Sequence, residues 1–199
     1  MITWISIIGF LGAMVNTSVI GADKPSSSTE VAIFSGGCFW CEAEAFNKLP
    51  GVLSVVSGYT GGHTIDPTYA QVSAEGTGHK ESIQVTFDPT QITYDQLLDV
   101  YWHNIDPFDG KGQFCDKGDS YKALIFYTND IQKHKAEASK KKLEAMLKQP
   151  ILTEIQAASF FYPAEDYHQD YAQKNPIRYK FYRYACGRDK RLAEIWGKK

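Results

Sequence analysis

The alternation of apolar and polar positions along the chain predicts strands and helices that follow one another in mixed order. Between Glu81 and Phe87 the alternation is strict, so Glu81 falls on the same side of its strand as Ile83 and Val85, facing the core. Thr93 and Gln96 form a capping box that opens a helix. We predict strands at 31–35, 52–57, 81–87, 121–128 and 151–157. We predict helices at 38–49, 93–102, 131–148, 160–174 and 188–196, with Asn175-Pro176 ending the fourth.

This mixture of elements predicts an α+β fold, a two-layer αβ sandwich with a mixed, ferredoxin-like sheet. The apolar run that begins at Val31 marks the start of the folded domain, and we expect residues 31–199 to form one catalytic domain. No internal repeat or low-complexity tract interrupts it.

The first 22 residues differ from the rest because they carry no charged side chain before Asp23. An apolar core followed by Gly21 and Ala22 is typical of a secretory signal and its cleavage site, although a positively charged start is missing. We therefore interpret 1–22 as a signal peptide and the polar stretch 23–30 as a linker. The expected location is outside the cytoplasm, periplasmic or secreted. The alternatives are an uncleaved anchor or a buried N-terminal helix, and the protein is cytoplasmic if the segment is not a signal.

Composition excludes several classes of protein. The chain has 199 residues, of which 43% are hydrophobic and 22% charged, as in ordinary globular domains. A net charge of −2 offers no strongly basic surface, so we expect no nucleic-acid partner. Four cysteines are too few for a disulfide scaffold of this length.

The candidate chemistry begins at Cys38, which follows a predicted strand and two glycines and starts a predicted helix. Free backbone N–H groups and the helix dipole at that place favour a thiolate, which is the nucleophilic form of cysteine. The sequence therefore predicts a reactive thiol, although a cysteine in such a position can also simply pack.

The other three cysteines leave several roles open. Cys41 forms a C-x-x-C pair with Cys38, a spacing that indicates redox chemistry. Cys115 and Cys186 stand alone in the sequence, and the histidines lack metal-ligand spacing, so we expect no metal site. A structural disulfide is possible if the protein is exported.

Glu81 is the second candidate. A carboxyl that points into apolar surroundings has a raised pKa and can act as a general acid near neutral pH. Its place at the start of a strand is equally compatible with a solvated side chain. Tyr69 and Tyr121 could donate hydrogen bonds into a pocket, but the pattern cannot select them among 12 tyrosines.

Several blocks of sequence, in their order and spacing, resemble the peptide methionine sulfoxide reductase A family. They are GGCFWCEAEAF, GYTGG, PTY, GTGHKESIQVTFDP, FCDKGDSYKALIFY and FYPAEDYHQDYAQKNP. The resemblance implies that Cys38 attacks the sulfoxide sulfur and that Glu81 protonates its oxygen. It implies that Phe39 and Trp40 contact the substrate methyl group. It also implies that Tyr69 and Tyr121 hydrogen-bond the oxygen, supported by Asp116.

By the same resemblance, the substrate is methionine S-sulfoxide, in proteins or free, and the enzyme repairs oxidised proteins. Cys38 becomes a sulfenic acid, a second thiol condenses with it, and thioredoxin or a similar external dithiol reduces the disulfide. We expect a monomer with no bound cofactor. Many family members have Gly at the position of Cys41, so the resolving thiol is open among Cys186, Cys41 and Cys115. Cys186 is favoured because it follows Asn175-Pro176 in a segment that could be mobile.

Two other functions are compatible with the residues. A thioredoxin-type oxidoreductase would use the C-x-x-C pair on protein disulfides, although the bulky Phe39-Trp40 between the cysteines hinders access. An exported binding module would use its four cysteines in two structural disulfides.

Overall fold

A six-stranded sheet forms the centre of the molecule, in the order β7-β6-β1-β3-β2-β8. All neighbouring strands are antiparallel except β6 and β7, which run parallel, so the sheet is mixed. A separate two-stranded hairpin is formed by β4 and β5. The strands are β1 (Glu30–Gly36), β2 (Val52–Thr60), β3 (Lys80–Phe87), β4 (Gly112–Gln113), β5 (Asp116–Lys117), β6 (Ala123–Tyr127), β7 (Glu154–Ala157) and β8 (Tyr162–Pro163).

The part of the chain that the structure describes also contains seven α-helices. They are α1 (Phe39–Phe46), α2 (Tyr69–Ser73), α3 (Tyr94–Trp102), α4 (Asp130–Leu147), α5 (Tyr171–Lys174), α6 (Pro176–Ala185) and α7 (Arg188–Trp196). The series β1-α1-β2-β3-α3-β6, with central strand order β6-β1-β3-β2, is the ferredoxin-like arrangement. The predicted α+β class with a mixed, ferredoxin-like sheet is therefore confirmed.

Strand alternation divides the two faces of the sheet. Ala32 and Phe34 of β1 pack with Ile83 and Val85 of β3 in the main core, whereas Ile33 faces the other way into a smaller cluster. Glu81 has the same parity as Ile83, so β3 directs its carboxyl toward the helical layer, as predicted. This register places a carboxyl group beside the first turn of α1.

The start of α3 agrees with its sequence. Thr93 accepts a hydrogen bond from the Gln96 backbone, and the Gln96 side chain accepts one from the Thr93 backbone. The capping box is thus present, and the helix buries Leu97, Leu98 and Tyr101 against the sheet.

The predicted helix at 160–174 is wrong. That segment contains the short strand β8, a 3₁₀ turn at Asp166–His168 and the single turn α5. Asn175 caps the end of α5, so a helix does end there, but Asn175-Pro176 also begins helix α6, which was not predicted. Proline is well tolerated at the first helical position because its missing N–H would have no partner there.

Residue 1 and residues 29–197 are described by the structure, which is a computed structural model. The proposed signal peptide and nearly all of the proposed linker lie outside the described residues. Strand β1 begins at Glu30, the last residue assigned to the linker. Among the described residues, no helix has the length and apolar character needed to span a membrane.

Candidate active site

Cys38 occupies the junction between β1 and α1, where it is the N-cap residue of the helix. Gly37 before it has φ of +84°, and a Cβ atom there would lie 2.6 Å from Cβ of Gln113. Both the backbone conformation and the close approach require glycine. The Gly-Gly break therefore fixes where the thiol emerges from the sheet.

A small cleft of about 60 Å³ lies at this junction. The structure brings together all seven residues predicted for the nucleophile, the proton donor and the substrate contacts, and it adds an eighth, Tyr182. The lining residues are Cys38, Phe39, Trp40, Tyr69, Glu81, Asp116, Tyr121 and Tyr182. The size of the cleft suits the end of one side chain.

Glu81 is buried, with 3% of its surface exposed, so it is not the solvated strand-end residue that the alternative supposed. Burial raises the pKa of its carboxyl well above the ordinary value, and a hydrogen bond from the Phe39 backbone opposes this only in part. Phe39 N donates to Oε2 of Glu81 over 3.0 Å. The other carboxyl oxygen is thus the natural place for a proton, and the residue can act as an acid.

Two tyrosines bring neutral phenols to the cleft. Burial raises the pKa of Tyr69, and burial together with the Glu81 carboxyl raises that of Tyr121, so both keep their protons at neutral pH. Tyr69 is held by its backbone N–H, which donates to Glu165 over 2.8 Å, and Glu165 also accepts from Tyr59. Two O–H groups therefore face the same small space as the acid.

Asp116 lies on the opposite wall, in β5. The Tyr182 hydroxyl donates to Oδ2 of Asp116 over 2.5 Å. Burial raises the pKa of this carboxyl, while the hydrogen bond from Tyr182 and the charge of Arg188 lower it. Helix α6, which carries Tyr182, is thereby tied to the hairpin.

The apolar wall is an aromatic cluster. Trp40 stacks on Tyr171 at 3.7 Å between ring centroids with 7° between planes, and its Nε1 donates to Nδ1 of His168 over 3.0 Å. Burial lowers the pKa of His168, so its ring is neutral and Nδ1 can accept. Phe39 packs against His168 at 5.0 Å. Two orienting contacts thus fix the indole ring at the cleft.

The two free thiols, Cys38 and Cys41, are both buried and are hydrogen-bonded to each other. Burial raises the pKa of Cys38 well above its ordinary value, and Cys41, Glu81 and Asp116 raise it further. Burial thus opposes the low pKa that was expected for Cys38. The first N–H of α1 donates to Glu81 rather than to the sulfur, which removes much of the predicted stabilisation.

Cys41 has the opposite electrostatic surroundings. The hydrogen bond from Cys38, together with the charges of Arg188 and Arg183, lowers the pKa of Cys41 to about 6 despite its burial. The surroundings therefore favour the thiolate form of Cys41 more than that of Cys38.

Cys115 and Cys186 form a disulfide with a Cα–Cα distance of 4.9 Å. Cys186 is the C-cap residue of α6, packed against the hairpin, so the expectation of a free thiol in a mobile segment is wrong. The free thiol close to Cys38 is Cys41, one helical turn away. The disulfide joins the residue before Asp116 to the helix that carries Tyr182.

Sequence reasoning missed Tyr182, His168 and Tyr171. A helix opening at Pro176 would have placed Tyr179, Tyr182 and Cys186 on one face through i, i+3 and i+7 spacing. The prediction that Pro176 ends a helix concealed that pattern. His168 and Tyr171 lie in short irregular segments, where no periodic pattern identifies the inward face.

Comparison with known proteins identifies a matching family. Residues 30–199 match the model of the family described as peptide methionine sulfoxide reductase. The chain is 54% identical over 172 residues to peptide methionine sulfoxide reductase MsrA of Bacillus licheniformis, which covers 85% of this chain and 95% of that protein.

Solved structures give the same result. Methionine sulfoxide reductase A of Corynebacterium diphtheriae matches with a TM-score of 0.67 and 32% identity, over 80% of this chain and 81% of that one. Mxr1 of Saccharomyces cerevisiae in reduced form matches with a TM-score of 0.72 and 27% identity, over 77% and 88%. Mxr1 in complex with Trx2 matches over 77% and 91% with a TM-score of 0.50 and 18% identity, which shows the fold alone.

Proposed function

The chain belongs to the peptide methionine sulfoxide reductase family, and we propose that its cleft performs the reduction with Cys38 as nucleophile and Glu81 as proton donor. The enzyme reduces methionine sulfoxide and so repairs oxidised proteins. The observation that carries the assignment is the meeting of a free thiol, a buried carboxyl and two neutral phenols in one small cleft.

The chemistry follows from these groups. The sulfur of Cys38 attacks the sulfoxide sulfur and forms an S–S bond, and Glu81 gives its proton to the oxygen as the S–O bond breaks. The released hydroxide then attacks the sulfur of Cys38, and the S–S bond breaks to free methionine. The products are methionine and the sulfenic acid of Cys38. The proton released by the Cys38 thiol returns to Glu81, so the carboxyl ends the step as it began. A raised pKa keeps this carboxyl protonated until the oxygen needs the proton.

Three walls of the cleft suit the substituents of a sulfoxide. Trp40 and Phe39 offer an apolar surface to the methyl group, and Tyr69 and Tyr121 offer hydroxyl donors to the oxygen. Because the sulfoxide sulfur is a stereocentre, a site with separate apolar, donor and nucleophilic sides accepts one epimer. The resemblance noted above assigns the S epimer.

We propose Cys41 as the thiol that resolves the sulfenic acid. It is free, it lies one helical turn from Cys38, and the two side chains are hydrogen-bonded. The Cys41 sulfur attacks the sulfenic sulfur, the S–O bond breaks, and the oxygen leaves as water. Cys186 and Cys115 are already bonded to each other, so they serve this role only after that disulfide opens.

Thioredoxin or a thioredoxin-like dithiol is the proposed external reductant. The yeast protein Mxr1 has been crystallised in complex with Trx2, and it shares this fold. Thiol–disulfide exchange with such a partner returns Cys38 and Cys41 to the reduced state. No bound cofactor takes part in the proposed cycle.

The test is reduction of a peptide that contains methionine S-sulfoxide, followed by chromatography, with either dithiothreitol or thioredoxin as reductant. We expect wild type to use both reductants and to leave the R epimer unchanged. Cys41→Ser should complete one turnover and then stall with thioredoxin, whereas Cys186→Ser should keep cycling. A Cys38–Cys186 bridge after one turnover, detected by mass spectrometry, would contradict the assignment of Cys41.

We also propose that the protein is exported. The charge-free segment before Asp23 supports this, and so does the Cys115–Cys186 disulfide, because disulfides persist mainly in oxidising compartments. Amino-terminal sequencing of the protein from cell fractions tests it. A cytoplasmic protein that retains Met1 would refute export.

A further inference from the structure

A chain of polar side chains runs from Cys41 to the surface along helix α6. The Tyr179 side chain packs with Cys41 and Cys38 in one buried cluster. Nη1 of Arg183 donates to the Tyr179 hydroxyl over 3.3 Å. Arg183 in turn holds Asp189 through three N–H···O contacts. The mechanism above uses none of these residues except the two cysteines.

The direction of each hydrogen bond follows from the donors available. A guanidinium can only donate, so the Tyr179 oxygen accepts from Arg183. The phenolic proton is thereby left free to point at the sulfur of Cys41. A hydrogen bond from O–H to sulfur is strong when the sulfur is a thiolate. The arrangement is therefore matched to a negative charge on Cys41.

The charges around Cys41 act in both directions. On its own helix and on β3, Cys38, Glu42 and Glu81 face it, and the two carboxyls are kept largely neutral by burial. Helices α6 and α7 bring two cations, Arg183 and Arg188. Arg188 is fully buried and donates to the carbonyls of Gly36 and Asn104, so its charge acts on Cys41 from a fixed position.

We propose that Tyr179 and Arg183 hold Cys41 as a thiolate, ready to attack the sulfenic acid of Cys38. This inference rests on the proposed resolving role of Cys41. Tyr179 contacts a reacting sulfur and is a catalytic residue of the resolving step, and Arg183 is a positioning residue that orients the Tyr179 proton. In the step, the S–S bond forms as the S–O bond of the sulfenic acid breaks. The oxygen leaves as hydroxide and takes the proton of Glu81 to become water.

The experiment separates the two half-reactions in a single turnover with one equivalent of methionine S-sulfoxide peptide. Methionine formation reports the reductive step, and quenched thiol counting reports the Cys38–Cys41 bridge, each measured across a series of pH values. The variants are Tyr179→Phe, Arg183→Met and the conservative Arg183→Lys. Tyr184→Phe is the matched control, because Tyr184 lies on the same helix and is 85% exposed.

Tyr179→Phe should slow bridge formation about tenfold at pH values well below the wild-type midpoint and about twofold at neutral pH, with a smaller effect on methionine formation. The pH midpoint of bridge formation should rise by about one unit, since one unit of pKa is a tenfold change in thiolate fraction. Arg183→Met should act in the same direction, with partial rescue in Arg183→Lys, and Tyr184→Phe should match wild type. Thermal melting identifies any variant that fails to fold, and Tyr179→Phe alone is sufficient for the test.

An unmoved pH midpoint in folded Tyr179→Phe would overturn the inference, as would equal slowing of both half-reactions. Failure of the proposed function has a different signature. If wild type forms a bridge other than Cys38–Cys41, or if Cys41→Ser resolves at the normal rate, then Cys41 is not the resolving thiol.

Discussion

Glu42 provides a quantitative test of whether burial or the charge of Arg188 dominates the pKa of a carboxyl near the thiols. Its carboxyl is buried, with 1% of its surface exposed, and lies against Gly36 near the Arg188 guanidinium. Burial raises its pKa to about 8, against the opposing charge of Arg188. An unfolded glutamate titrates near pH 4.3. Over the pH range between these two pKa values, Glu42 is therefore protonated in the folded protein and ionised in the unfolded chain.

The sign of the effect follows from linkage. A raised pKa means that the native state binds the proton more tightly, so the associated stability is complete below about pH 4.3 and is lost as pH rises toward 8. Within that range the slope is about 1.4 kcal/mol per pH unit. Between about pH 5.5 and pH 7.5 the free energy of unfolding should thus fall by about 2.7 kcal/mol through this group.

Replacing Glu42 by Gln removes the titration and keeps the shape of the side chain. Urea denaturation of wild type and Glu42→Gln, measured at both ends of that range, gives the difference directly, because all other titrating groups are common to both proteins. We expect the variant to gain about 2–3 kcal/mol relative to wild type as pH rises over this interval. If the difference in free energy of unfolding between the two proteins does not change with pH, then Glu42 is ionised in the folded protein and the charge of Arg188 outweighs burial.

Three further outcomes follow from the site. Cys38→Ser should show only background activity with dithiothreitol, because an alcohol gives negligible oxyanion at neutral pH; wild-type activity would dismiss the assignment. Glu81→Gln should fold normally but slow single-turnover methionine formation about 10²–10⁴-fold, and a change within about twofold would exclude proton donation. Cys115→Ser opens a loop with a sequence separation of 71, so urea denaturation should show a loss of about 4 kcal/mol, and an unchanged free energy of unfolding would contradict this.

The central fold could be predicted from the sequence because the signals that specify its strands and helices are local. The alternation in β3 and the capping box at Thr93 depend on neighbouring residues, and both are present as expected. The family resemblance assigned the nucleophile, the acid and the aromatic wall, and the structure brings these residues together in one cleft.

The features that the sequence did not predict depend mainly on contacts between distant segments. The electrostatic surroundings of the two thiols depend on such contacts, because Glu81, 43 positions after Cys38, takes the first N–H of α1, while arginines of α6 and α7 approach Cys41. The pairing of Cys115 with Cys186 across the hairpin and α6 is similarly invisible in a single sequence. The helix that begins at Pro176 could not be predicted from the local pattern, because proline is compatible with either end of a helix.

The placement of Tyr179 and Tyr182 on helix α6 has a consequence for biosynthesis. Cys38 and Cys41 enter the growing chain early, whereas the helix that covers them comes from its last quarter. Until α6 docks, both thiols belong to a partly folded chain that has no lid over them. Cys115 also precedes its partner Cys186 by 71 positions, so three unpaired thiols coexist before the native bridge can close. Oxidation during that interval would trap a wrong pair, and the completion of α6 is therefore the event that separates the structural cysteines from the catalytic ones.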